Sequence, residues 1–206
     1  MSNLNKQVQS ATKWSVFTEI AVKIISPITN MILASVLTPE AFGVIATVTM
    51  LVSFTDIFTD AGFQKYIVQH QFRDENDEDL SICVAFWTNM MISIGLWGMI
   101  FLFNEQLSVI LGNPGLGRAI YMGALILPLT SFSSIQTAIY RKSFNYKGIS
   151  CVRIAVKLVP LIVTVPLAFL GLSYWALIIG NIAGELCNAV LLTSMSKWKP
   201  KFRYSF

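Results

Sequence analysis

Residues 80–103 read LSICVAFWTNMMISIGLWGMIFLF and contain no charged side chain. A helix needs about 20 mostly apolar residues to cross the hydrocarbon core of a bilayer. Inside that core no water can pair with the backbone, so a single segment crosses it only as a helix. The stretch therefore predicts a membrane-spanning α-helix.

The rest of the chain repeats this pattern. Of 206 residues, 54% are hydrophobic and 13% are charged, and the mean hydropathy is +0.62. Soluble domains carry about 25% charged residues, so a soluble domain is excluded. The composition predicts an all-α polytopic membrane protein of six transmembrane helices, with the other five at about 14–37, 41–61, 118–140, 149–171 and 173–195.

The distribution of Lys and Arg predicts the orientation. Cytoplasmic loops are enriched in these residues. With six spans, the loops and ends on one side of the membrane hold eleven of these residues, and those on the other side hold only Arg118. The eleven are Lys6, Lys13, Lys65, Arg73, Arg141, Lys142, Lys147, Lys197, Lys199, Lys201 and Arg203. Both termini are therefore predicted to be cytoplasmic, residues 1–13 as an N-terminal segment and 196–206 as a basic tail that flank a lobe at 14–195. The basic pI reflects this topology and contact with anionic lipid, so no nucleic-acid partner is predicted.

Two other features predict no metal or cofactor. The three cysteines lie in apolar segments without CxxC spacing, so neither a disulfide framework nor a zinc site is expected. The acidic run DENDED at 74–79 lacks the glycine and the spaced ligands of a calcium loop. Because it precedes the span at 80–103, we interpret it as a solvated helix N-terminus, where acidic residues are favourable.

Polar residues recur at helical spacing in four of the apolar segments. The four sets are Glu19, Lys23, Ser26 and Asn30; Thr49, Ser53, Asp56 and Asp60; Arg153, Lys157, Pro160 and Thr164; and Asn181, Glu185 and Asn188. Within each set the side chains share one helix face. An ionised group at the bilayer centre costs about 2.5–3.5 kcal/mol on insertion scales, so these faces should look into the bundle or into a wet cavity.

Two interpretations of the charges remain open. In the structural one, Glu19 pairs with Lys23, and the cations of the fifth span pair with Asp56, Asp60 or Glu185. In the functional one, the cations bind an anion in a polar cavity and the carboxylates bind a coupling proton or sodium ion.

Four prolines at membrane depth are predicted to break helices, as is common at transporter sites: Pro27, Pro128, Pro160 and Pro166.

An ordered set of motifs resembles the polysaccharide transporter family. These are flippases for lipid-linked oligosaccharides within the multidrug/oligosaccharidyl-lipid/polysaccharide exporter superfamily. The similar stretches follow one another along nearly the whole chain: LASVLTPEAFG at 33–43, DIFTDAGFQKYIVQ at 56–69, AFWTNM at 85–90, TAIYRKSFNYK at 137–147 and KWKPKFRYSF at 197–206.

The resemblance implies a transporter of the bacterial cytoplasmic membrane and not an enzyme. Two six-helix lobes would face each other across a cavity and rock to open it to each side in turn. The substrate would be a polyprenyl-pyrophosphate-linked oligosaccharide whose tail stays among the membrane lipids. By position, the cavity cations would be Arg153, Lys157 and Lys23. The charge-balancing or coupling-ion residues would be Glu19, Asp56, Asp60 and Glu185, and the polar lining would include Asn30, Asn181 and Asn188.

Two departures from the family pattern keep alternatives open. Ser35 stands where many relatives carry arginine, so that contact is not expected here. The chain also contains only one lobe, which suggests a fragment, a truncated product or a half-transporter that dimerises. A non-transporting scaffold lobe and a small-molecule exporter of the same superfamily therefore remain alternatives. A membrane enzyme acting on lipid phosphates is less favoured, because no phosphotransferase pattern surrounds Asp56 and Asp60.

Overall fold

The computed structural model describes residues 2–59, 62–143, 145–196 and 198–200, and these residues contain helices and no strand. In chain order the helices are α1 (Ser2–Ala34), α2 (Pro39–Thr59), α3 (Phe63–Gln69), α4 (Glu75–Leu102), α5 (Asn104–Ile110), α6 (Gly117–Gly123), α7 (Ile126–Lys142), α8 (Tyr146–Phe169) and α9 (Tyr174–Met195). The predicted all-α class is confirmed.

Six segments are long and apolar enough to cross a membrane, as predicted. They are Thr12–Ala34 in α1, Pro39–Ile57 in α2, all of α4, Gly117–Lys142 through α6 and α7, all of α8 and all of α9. The protein is therefore a multi-pass membrane protein. Helix α1 already begins at Ser2, so the described part of the N-terminal segment continues the first span as helix.

Helix α4 begins five residues before its predicted start because the acidic run caps it. The Asp74 carboxylate accepts a hydrogen bond from the Asp77 backbone N–H at 2.7 Å. Glu75, Asp77 and Glu78 occupy the first turn, where negative charge complements the helix dipole. The interpretation of DENDED as a helix N-terminus is confirmed.

Of the four prolines, only Pro128 accompanies a break. The fourth span is interrupted between α6 and α7, at residues 124–125. Proline has no N–H and its ring crowds the carbonyl four residues earlier, which here belongs to Ala124. Helices α1 and α8 continue through Pro27, Pro160 and Pro166, so the prediction of breaks at these three was wrong. Neighbouring helices can satisfy the freed backbone groups in a membrane.

Helix α8 lies between α1 and α9, which gives the lobe a packed row of three helices. The α9 sequence Gly180–Gly184 is a small-xxx-small motif, which lets backbones approach closely. Gly180 packs on Thr164 and Gly184 faces the Val156 carbonyl, both in α8. Helix α9 also packs on α7, and α7 in turn packs on α4 and α3. The row positions the polar faces of the first and fifth spans side by side.

Helices α1 and α8 are parallel. Ser150, in the second turn of α8, donates its hydroxyl to the carbonyl of Trp14, near the start of the candidate span Thr12–Ala34, at 3.2 Å. Near their last turns, Leu33 and Ala168 belong to the same buried apolar cluster, together with residues that begin α2 and α9. A nearly constant register therefore relates the two helices from Trp14 and Ser150 to Leu33 and Ala168.

Candidate substrate site

The first span has three distinct faces. One face is buried against the lobe and includes Thr18, Thr29 and Leu33. A second is apolar and exposed, as expected for a lipid-facing surface: Val16, Phe17, Ile20, Ile24, Ile28 and Met31. The polar stripe lies between these two, with Lys23 and Asn30 exposed and Glu19 half-buried. The stripe therefore borders the packed interior on one side and the apolar exposed surface on the other.

The fifth span separates polar and apolar exposure in the same way. Arg153 and Lys157 are exposed on one side of α8, and Leu158, Ile162 and Phe169 are exposed on roughly the opposite side. Because α1 and α9 flank α8, the helix presents one exposed side to lipid and one to the open polar side of the lobe. We name this open polar surface, formed by Glu19, Lys23, Arg153 and Lys157, the cation face.

One ion pair joins the two helices of the cation face. Arg153 Nη1 lies 2.8 Å from Glu19 Oε1. The structural interpretation paired Glu19 with Lys23, and Arg153 with Asp56, Asp60 or Glu185; among the described residues Glu19 pairs with Arg153 instead. Helical periodicity assigns a side chain to a face, but the partner depends on which helix packs beside it, and in this fold α1 packs along α8.

The two lysines of the cation face lie one turn beyond this ion pair. Lys23 follows Glu19 by four residues and Lys157 follows Arg153 by four, in the same direction because the helices are parallel. At 1.5 Å per residue, both lie about 6 Å further along. Among the described residues, neither lysine has a carboxylate within ion-pair distance. The face therefore carries two uncompensated cations beside a compensated one.

These lysines lie at the middle of their spans. Lys23 is the twelfth of the 23 residues of Thr12–Ala34, and Lys157 is the twelfth of the 24 residues of Tyr146–Phe169. Such a charge is stable at the bilayer centre only where it meets water, a partner or a ligand. Exposed and unpaired mid-span cations are therefore candidate ligands for an anion.

The remaining predicted site residues lie on α9 and α2. On α9 the three polar side chains are half-buried, and Asn188 Nδ2 donates to Glu185 Oε2 at 3.2 Å. Asn181 lies on the same face of α9 as Glu185 and Asn188, and helix α9 packs on α8. Asp56 is half-buried on α2, whose main packing partners are α6, α9, α4 and α7. Asp60 lies outside the described residues.

The structure also contains a buried polar set that the sequence analysis did not single out as a group. Asn89 Nδ2 of α4 donates to the Ser134 hydroxyl of α7 at 3.0 Å. Gln136 Nε2 of α7 donates to the Thr193 hydroxyl of α9 at 3.3 Å. Gln136 is fully buried. Its burial could not be predicted from helical periodicity, because polar residues occupy several faces of α7. These contacts join helices behind the cation face.

The family membership of the chain follows from its similarity to known protein families. A sequence profile described as polysaccharide biosynthesis protein matches residues 32–206. The chain belongs to the polysaccharide biosynthesis protein family. The matched residues contain five of the six candidate spans and the last three residues of the first. Family membership confirms the resemblance to polysaccharide transporters that the sequence motifs indicated.

Two curated relatives of this family member are membrane or transport proteins by name. The succinoglycan biosynthesis transport protein ExoT of Rhizobium meliloti (strain 1021) is 25% identical over 200 residues, which cover 97% of this chain and 40% of the relative. An uncharacterized membrane protein in the cps region of Klebsiella pneumoniae is 22% identical over 148 residues, covering 72% of this chain and 30% of the relative. The chain thus spans less than half the length of either relative. No solved structure matches it.

Proposed function

We propose that this protein forms one wall of a transporter that moves a lipid-linked polysaccharide precursor across the bacterial cytoplasmic membrane. The cation face binds the phosphate or diphosphate group that joins the saccharide to its lipid. The observation that carries this proposal is the pair of mid-span lysines, Lys23 and Lys157, beside Arg153; neither lysine has an ion-pair partner among the described residues. The names of the relatives, a succinoglycan transport protein and a membrane protein of a cps region, support the substrate class.

The chemistry of the cation face suits a phosphate ester. Guanidinium and ammonium groups form charge-assisted hydrogen bonds with phosphate oxygens, and the planar guanidinium can bind two of them at once. The lipid-facing side of α8 lies opposite the cations. A substrate whose charged group occupies the polar side can therefore keep its lipid tail in the surrounding bilayer.

A second helical lobe would supply the opposite wall of the cavity. It belongs either to the same polypeptide or to a second copy of this chain, because twofold pairing of identical lobes also closes a cavity. The intact mass and oligomeric state of the protein from its own membranes separate the two. A single chain near twice 22.9 kDa means a covalent second lobe, and a dimer of 22.9 kDa chains means a paired lobe. A monomer at 22.9 kDa contradicts the two-wall arrangement.

The test of transport is the double variant Lys23→Ala/Lys157→Ala in the native strain. We expect normal insertion and abundance, because each lysine lacks an ion-pair partner among the described residues. We expect the surface polysaccharide to fall strongly, and lipid-linked precursor to accumulate where a membrane-impermeant glycan-modifying reagent added outside the cell does not reach it. The matched control is Lys65→Ala/Lys199→Ala, which removes the same charge from exposed residues outside the candidate spans.

Unchanged export in the Lys23→Ala/Lys157→Ala variant would overturn the proposal. An equal loss in the control variant would also contradict it, because the effect would then follow total charge rather than the cation face. A scaffold lobe predicts a third pattern, in which the double variant changes the abundance of partner proteins and leaves precursor handling intact.

A further inference from the structure

The ion pair between Glu19 and Arg153 is half-exposed. The side chain of Arg153 retains 46% of its maximal exposure and that of Glu19 retains 45%. Where water reaches such a pair, as it would in the proposed polar cavity, an exposed ion pair contributes only about 0–1 kcal/mol, because water solvates the separated charges nearly as well. Glu19 therefore holds Arg153 loosely, and an ion pair of this kind is not required to keep α1 against α8.

Buried contacts hold the two helices together instead. Ser150 donates to the Trp14 carbonyl, Thr18 is buried in α1, and Leu33 of α1 shares a buried apolar cluster with Ala168 of α8. Both helices can keep these contacts while the ion pair opens. The carboxylate and the guanidinium are thus free to exchange partners without a change in helix packing.

An anion held by the two lysines would lie within reach of Arg153. The lysines are one helical turn beyond the pair, about 6 Å along the helices. A diphosphate group carries two adjacent anionic centres, so one phosphate at the lysine level places the other toward the arginine. Glu19 would then compete with that second phosphate for the same guanidinium.

We propose that Glu19 is an internal competitor of the anionic substrate. Its carboxylate occupies Arg153 in the empty site and is displaced by a phosphate group when substrate binds. This inference rests on the proposed function of the cation face. The competition lowers the affinity for the anion, which serves transport because a translocated ligand must bind well enough to enter and weakly enough to leave.

The other charged groups near the pair do not replace Glu19 in this role. On α1 the next charged residue toward the chain start is Lys13, which is exposed. On α9, which packs on the other side of α8, Glu185 accepts a hydrogen bond from Asn188. Among the described residues, Glu19 is the only carboxylate within ion-pair distance of Arg153.

The test measures inorganic pyrophosphate binding by titration calorimetry to the full chain in lipid nanodiscs. Removing the competitor with Glu19→Gln should tighten binding about twofold to fivefold, the range expected when an exposed ion pair no longer has to be broken. Glu19→Asp keeps the charge on a shorter side chain, so it avoids an uncompensated Arg153 and should give an intermediate affinity.

Two controls separate competition from a general change in charge. The matched control is Glu78→Gln, which breaks the other described ion pair, between Glu78 and Lys142 at 2.8 Å, with similar partial exposure; it should leave pyrophosphate binding unchanged. In an Arg153→Gln background, Glu19→Gln should no longer tighten binding, because no guanidinium remains to compete for. In such a double-mutant cycle, effects on the binding free energy that do not add show that the two residues are directly coupled.

The outcomes distinguish this inference from the proposed function. Loss of pyrophosphate binding in Lys23→Ala/Lys157→Ala, with tighter binding in Glu19→Gln only when Arg153 is present, supports both. Loss in the lysine variant with unchanged or weaker binding in Glu19→Gln overturns the competitor role and leaves the anion site standing. A gain that persists without Arg153 also overturns it. If neither the native chain nor Glu19→Gln binds pyrophosphate, both proposals fail.

Discussion

Gly180 of α9 faces the Thr164 side chain of α8 so closely that a Cβ at Gly180 would overlap the Thr164 hydroxyl and lie 3.0 Å from its Cβ. Thr164 is itself fully buried and belongs to the polar set of the fifth span. The two residues therefore mark a close approach of α8 and α9 behind the cation face. Their contact fixes how far α8, and with it Arg153 and Lys157, stands from the rest of the lobe.

We predict that Gly180→Ala destabilises the lobe by about 1–3 kcal/mol, the usual cost of overpacking a core. Thr164→Ala should recover part of this loss, because it removes the overlapping hydroxyl. The matched control is Gly184→Ala, whose Cβ would lie 3.8 Å from the Val156 carbonyl, an ordinary contact. Thermal unfolding in detergent measures all three. Equal effects at the two glycines would contradict the close contact.

The hydrogen bond from Gln136 to Thr193 gives a second prediction. Thr193→Val removes the acceptor of the Gln136 amide, whose Oε1 already has no hydrogen-bond partner among the described residues. We expect a loss of about 1 kcal/mol, because a buried amide is left unpaired. The double variant Gln136→Leu/Thr193→Val should be close to the native stability, since both polar groups are gone. A double variant less stable than Thr193→Val alone would exclude this explanation.

Trp198 binds the segment after α9 to the start of α4. Its Nε1–H donates to Asp79 Oδ1 at 2.9 Å, and its ring meets Phe86 at a centroid distance of 5.8 Å. Trp198→Phe should cost about 1 kcal/mol through the lost hydrogen bond, and Trp198→Ala should cost more through lost packing. Both variants should speed cleavage on the N-terminal side of the exposed Lys199 by a peptidyl-Lys endopeptidase, which is used because Pro200 follows Lys199 and blocks trypsin there.

The matched control for this prediction is Trp97→Phe. Trp97 Nε1–H donates to the Tyr121 carbonyl at 3.1 Å, so the variant loses a comparable hydrogen bond at a site away from the tail. It should lower stability without a selective rise in cleavage at Lys199. Equal cleavage in the Trp97 and Trp198 variants would show that the tail is not held by Trp198.

The shared level of Lys23 and Lys157 predicts a cross-link. In a variant without the three native cysteines, Lys23→Cys/Lys157→Cys should react with a bifunctional thiol reagent that spans the interaxial distance of about 8–10 Å. Lys23→Cys/Phe169→Cys is the control, because Phe169 lies at the far end of α8, about 18 Å along the helix. A cross-link in the control and none in the lysine pair would reject the parallel register of α1 and α8. The chain is then cleaved by a protease between the two spans. A cross-link keeps the two fragments together, so the yield of cross-linking is read from their electrophoretic mobility.

The apolar segments were predictable because they depend on local properties. Six stretches of sufficient length and the absence of a backbone partner in lipid lead to six helices whatever the helices pack against. The faces of Glu19, Lys23, Arg153 and Lys157 were predictable for the same reason, since the helical period places residues four apart on one side. The Asp74 cap also depends only on its own first turn.

Other features required information from outside each segment. Pro128 accompanies a break while Pro160 and Pro166 do not, because the surroundings decide whether a freed carbonyl finds another partner. The short helices α5 and α6 were missed as separate elements, since a window of about 20 residues averages over seven-residue helices.

The sequence by itself determined a six-span helical membrane protein with polar stripes, because length, hydropathy and period act within one helix at a time. Only the tertiary structure decided that Glu19 holds Arg153 and that Lys23 stands level with Lys157, with no ion-pair partner for either lysine in the described part of the chain. Those relationships depend on the order and register in which helices pack. They are set by distant buried contacts such as Ser150 with Trp14 and Gly180 with Thr164, which no single segment encodes.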